Sequence, residues 1–118
     1  MGKVSDLKVY NDVELLAGWV LDISANFPKQ YRYITERLVN TIFDCMDDIT
    51  LANLREGTER AMFLDAFVVH FTSVKTILRV CTRKRILSVN NEALFLRSSA
   101  NIGRQIAGWK RAALNQNR

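Results

Sequence analysis

Cysteine, histidine and proline are scarce in this 118-residue chain: it has two, one and one of them, with five glycines. The lone His70 and the two separated cysteines supply no metal-ligand spacing. Cys45 and Cys81 fall within apolar helical patterns and are expected as buried free thiols. So few glycines and prolines disfavour an all-β fold with many turns. No apolar run approaches bilayer length; the longest strong one is Ala66-Phe67-Val68-Val69. The opening residues MGKVSDLKVY lack the apolar stretch of a secretion signal. A cytoplasmic protein without a membrane partner is the default expectation. Hydrophobic residues at 48% and charged ones at 25% exclude disorder and fibre. A chain of this size buries roughly two-thirds of its unfolded surface, so neither a disulfide nor a metal is needed to hold it. One domain over 1–118 is expected.

Apolar residues recur at steps of three and four along four stretches. The first carries Leu16, Trp19, Val20, Ile23 and Phe27. Pro28 closes it, because a helix interior loses a hydrogen bond at proline whereas a first turn does not. The second carries Ile34, Leu38, Ile42, Cys45, Ile49 and Ala52, and ends at Gly57, suited to a left-handed turn; Thr58 is the expected N-cap of the next helix. The third carries Phe63, Phe67, Phe71, Val74, Leu78 and Cys81, and its basic end Arg83-Lys84-Arg85 suits a helix C-terminus. Ser88, Asn90 or Asn91 can cap the fourth, whose stripe is Phe95, Ile102, Ile106 and Trp109. These patterns predict helices over about 6–26, 30–55, 58–84 and 89–115. Joined by short links, they pack as an all-α, antiparallel up-down-up-down four-helix bundle.

Chemistry of the catalytic kind is not evident. His70 reads as a structural histidine between Val69 and Phe71. Asp44, Asp47 and Asp48 form an acidic cluster, which is expected to be a solvated or partner-facing surface because the Glu-x-x-His pairs of a di-metal bundle are missing. No Gly-rich phosphate loop or nucleophile elbow occurs. The chain is therefore read as non-enzymatic, with no cofactor and no metal.

Acidic residues are also scarce in the second half, and there the sequence is more informative. Residues 1–57 hold six basic and nine acidic side chains, residues 58–118 eleven and three, within a total of +5. Lys75, Arg79 and Arg83 share a helix face at i, i+4 and i+8; Arg97, Arg104 and Arg111 share another at steps of seven. With Lys84, Arg85 and Lys110, they form a candidate surface for RNA or DNA. Arginine grips phosphate in two-point geometry and stays charged. Gly103 and Gly108, costly in a helix interior at about 1 kcal/mol each, call for an offset such as close approach of another helix.

Two segments carry a resemblance. Phe27-Pro28-Lys29 with Tyr31-Arg32-Tyr33 and Leu38 resembles the start of helix two in the four-helix bundles related to proteins encoded in 23S ribosomal RNA intervening sequences. Ile102-Gly103-Arg104-Gln105-Ile106-Ala107-Gly108-Trp109-Lys110 is similar to the closing helix of one branch, the Avd (accessory variability determinant) proteins of diversity-generating retroelements. Ala107 stands where that pattern often has glycine, and Ile106 where it has leucine. The resemblance implies a homo-oligomeric ring, typically a pentamer, with Gly103, Gly108 and Trp109 as packing or interface positions. It implies a partner reverse transcriptase and nucleic acid held for mutagenic cDNA synthesis, with no chemistry by the accessory protein itself. An intervening-sequence-type RNA-binding role and a purely structural scaffold remain as alternatives.

Overall fold

The computed structural model describes residues 2–116, so the outermost residues of the expected 1–118 domain lie outside the described part. Four helices form it: α1 (Lys8–Ser24), α2 (Arg32–Asn53), α3 (Gly57–Arg83) and α4 (Val89–Asn115). Single 3-10 turns at Val4–Asp6 and Lys29–Tyr31 precede α1 and α2. No strand occurs among the described residues, and the all-α expectation holds. Each helix packs on the next and α4 closes back on α1, with α2–α3 the most extensive contact and α1–α4 the slightest.

The helix boundaries follow local chemistry. Pro28, at φ −58°, is the N-cap residue of the second 3-10 turn and separates α1 from α2. Gly57 takes φ 57°, in the left-handed region. That turn opens α3 instead of ending α2, so Glu56, in extended conformation, is the N-cap residue where Thr58 was expected. At α4 the Ser88 Oγ accepts the Asn91 N–H at 3.0 Å, satisfying one donor that the helix leaves orphaned.

The core lies along the bundle axis. Val13, Val20, Leu38, Ile42, Ile49, Leu64, Phe67, Val74, Leu78, Phe95, Ile102 and Ile106 are buried at its centre. An aromatic chain runs across it: Phe67–Phe71 at 5.1 Å, Phe71–Phe95 at 5.9 Å and Trp19–Phe95 at 6.1 Å between ring centres. Cys45 and Cys81 are buried free thiols, as expected. Among the described helices α3 has the length and mean hydropathy (1.4 over 18 residues) of a membrane-spanning segment, but its Phe67, Phe71, Val74 and Leu78 face the bundle interior. Ile34 and Phe63 lie nearer the rim than their stripes implied: Ile34 is exposed and Phe63 only partly covered.

Alternating helix directions put the α1–α2 link and the α3–α4 turn at one pole of a body 50 Å long. At the opposite pole Asn53 Nδ2 donates to the Gly2 carbonyl at 3.0 Å, and the Gly57 N–H donates to Gln116 Oε1 at 3.2 Å.

Candidate nucleic-acid interface

On α3 the buried residues Leu64, Phe67, Phe71, Val74 and Leu78 fix which way the helix faces. Lys75, Arg79 and Arg83 then fall on the shoulder toward α4. Lys75 is half-buried, its ammonium 5.2 Å from the Phe71 ring centre. Arg79 and Arg83 are exposed. Lys84 and Arg85 follow in the turn, both exposed, and the backbone holds them in a defined shape. The Arg85 N–H donates to the Thr82 carbonyl at 3.0 Å and the Ile86 N–H to the Cys81 carbonyl at 2.9 Å. This is the Schellman arrangement, which sets its central residue left-handed and usually selects glycine. Here Arg85 occupies that position at φ 61°.

On α4 the buried set Phe95, Ser99, Ile102, Ile106 and Ala113 faces the core. Arg97, Arg104 and Arg111 stand two residues away from it and point outward. They extend down the helix from the turn pole, Arg97 to Arg111 spanning about 21 Å at the α-helical rise. Between this row and the α3 shoulder lies a strip containing Ala100, Gly103 and Ala107. Lys110 differs from the rest: its Nζ is 2.7 Å from Asp65 Oδ1 of α3. Its charge is matched within the chain. Among the described residues no carboxylate lies within ion-pair distance of Arg79, Arg83, Lys84, Arg85, Arg97, Arg104 or Arg111.

The expected close helix approach at Gly103 and Gly108 does not occur within the chain. A Cβ at Gly103 would meet no atom within 4 Å, and one at Gly108 only the Arg111 guanidinium at 3.8 Å. Trp109 packs against the core rim, with the Arg60 guanidinium 5.3 Å from its ring centre; Arg60 Nε in turn donates to the Ala52 carbonyl at 2.9 Å.

The acidic cluster divides. Asp44 and Asp47 are exposed, but Asp48 is turned inward, 6% exposed, contrary to the expectation of one solvated face. Its Oδ2 lies 2.6 Å from His70 Nδ1 on α3. Burial pushes the Asp48 carboxyl above its ordinary value; His70 opposes that shift and Asp44 and Asp47 add to it. Burial likewise pushes the Cys45 thiol far up and the Cys81 thiol up, so neither is a poised nucleophile. No group of three or more His, Cys, Asp or Glu among the described residues could hold a metal.

Sequence reasoning by halves passed over the basic residues of the α1–α2 link. The bundle brings Lys29 and Arg32 to the same pole as Arg83, Lys84 and Arg85, and Arg37 stands just below; all are exposed. The signal was the antiparallel topology itself. Beside them, Tyr33, Arg37, Asn40, His70 and Ser73 line an α2–α3 groove of about 520 Å³.

The sequence profile of a protein family described as bAvd-like matches residues 7–113. No curated protein matches the chain.

Proposed function

The chain belongs to the bAvd-like family, and from that premise we propose that it is a non-catalytic accessory protein of a diversity-generating retroelement. In this reading it acts in the cytoplasm as a ring, typically of five copies, that binds the element's reverse transcriptase. The ring concentrates RNA or DNA backbone beside the polymerase during mutagenic cDNA synthesis. One observation supports the nucleic-acid part above the others: seven exposed cations on α3, the turn and α4 with no carboxylate partner among the described residues. Fixed guanidinium groups on rigid helices hold phosphate by charge and hydrogen bonding without reading bases. Lys110 adds little, since Asp65 already matches it, and Lys75 contributes at the edge.

Filter binding across a salt series tests this. Each phosphate neutralised on duplex adds about 0.9 to the slope of log affinity against log salt. The triple substitution Arg79→Glu, Arg83→Glu, Arg104→Glu is expected to lower both affinity and slope while helical circular dichroism is kept. Unchanged affinity overturns the basic-surface reading. Co-purification with a reverse transcriptase encoded beside this gene tests the polymerase partner.

A further inference from the structure

Resting on the nucleic-acid reading above, we propose that the α2–α3 groove at the turn pole takes an unpaired nucleobase, which makes single-stranded RNA or DNA the preferred ligand over duplex. Tyr33, in the first turn of α2, is 76% exposed. A phenol ring left largely in water on a rigid helix is a ready stacking surface, since every base presents a π-face. The Arg32 guanidinium lies over one face of the ring, 5.6 Å from its centre, so a base stacks on the opposite face with that cation near enough to meet its phosphate.

The groove beside Tyr33 is polar. Asn40 offers an amide and Ser73 a hydroxyl, and between them these side chains supply the donors and acceptors that a base edge needs. The neighbouring Thr41 hydroxyl is already used, donating to the Arg37 carbonyl at 2.6 Å.

Charge runs in one direction along this groove. Arg37 lines its upper end, Arg32 stands over the Tyr33 ring there, Lys29 precedes α2 at the same pole, and Lys84 falls on the His70–Ser73–Ile77 face of α3 by its spacing. Asp44 lines the lower end, with Asp47 and the buried Asp48 beyond it. A phosphodiester chain is therefore drawn to the pole and turned back below it. Glu36 also lines the groove; it repels phosphate, but its carboxylate can accept from the exocyclic amine of cytosine, adenine or guanine. A duplex cannot use Tyr33, because its base faces are covered by their neighbours. It meets only the arginine rows of α3 and α4.

Fluorescence anisotropy with labelled oligonucleotides of one sequence tests the idea, as single-stranded RNA, single-stranded DNA and duplex DNA. The wild-type chain is expected to bind at least one single strand more tightly than the duplex. Tyr33→Ala is expected to weaken single-strand binding roughly ten-fold, the scale of one lost base stack, and to leave duplex binding unchanged. Tyr33→Phe should restore it. Because the ring is exposed, the Ala variant keeps the fold, which circular dichroism verifies. Equal single-strand binding by wild type and Tyr33→Ala, or duplex binding as tight as single-strand binding, overturns this proposal and leaves the basic-surface reading standing. If the wild type binds none of the three, both fall. A preference between the two single strands identifies which nucleic acid the groove accepts.

Discussion

A carboxylate that is 6% exposed needs a partner or gives up its charge, and Asp48 shows both tendencies. His70 sits 2.6 Å away, yet desolvation outweighs that contact and the Asp48 carboxyl titrates above its ordinary value of 3.8. The folded state therefore favours the protonated acid. The stability Asp48 contributes is full below the unfolded value and is lost as pH rises through the raised folded value. Asp48→Asn, which mimics the protonated form in shape, is expected to remove that loss. Denaturant unfolding of both proteins between acid and neutral pH should show curves that diverge as pH rises, the variant becoming relatively more stable. The opposite change, His70→Ala, leaves the carboxylate buried without its partner and is expected to cost about 1–3 kcal/mol. The sequence showed the parts of this pair but not the pairing: His70 was expected to be structural. Asp48 follows Cys45 by three positions, so a place at the edge of the core face was readable. Its pairing with a residue 22 positions away on another helix depends on the register between α2 and α3, which a pattern along one helix does not contain. The Asp65–Lys110 pair was hidden for the same reason.

At the level of elements, the sequence was a good guide wherever one helix decided the matter. Phe67, Val74 and Leu78, or Leu38, Ile42 and Ile49, are buried because each series repeats on one face. Pro28 ends α1 through its own covalent geometry, and Ser88 caps α4 through one local hydrogen bond. The helix starts were less legible, because the left-handed Gly57 fits equally well after α2 or before α3. The α3–α4 turn departs from the pattern. Its Schellman hydrogen bonds place Arg85 at φ 61°, a conformation that costs a non-glycine residue about 1 kcal/mol or more. Arg85→Gly is accordingly expected to raise stability by about 1 kcal/mol, or about 4 °C in thermal midpoint, read by a circular dichroism melt. The same variant should bind polyanion more weakly, so stability and binding move in opposite directions. A drop in the midpoint would mean that the Arg85 side chain stabilises the turn by more than its backbone costs.

Across the whole molecule, the two glycines of α4 separate the fold from its proposed assembly. Gly103 faces open space within the chain, so nothing in the single subunit repays its cost in a helix. Gly103→Ala is expected to stabilise the isolated fold by about 1 kcal/mol. Gly103→Leu, whose Cβ would meet no atom of the subunit within 4 Å, is expected to disrupt the proposed ring. Sedimentation should show a smaller species with its helicity intact. If the larger side chain leaves the assembly unchanged, the strip of Ala100, Gly103 and Ala107 lies outside the subunit contact.

The pole away from the basic turn has a practical consequence. There Asn53 Nδ2 reaches the Gly2 carbonyl and the Gly57 N–H reaches Gln116 Oε1, so the α2–α3 link is tied down on both sides. Leu54, exposed in that link, stands at the far end of the bundle from Arg85 and Tyr33. A fluorophore or tether attached at that position would not enter the surfaces assigned to nucleic acid.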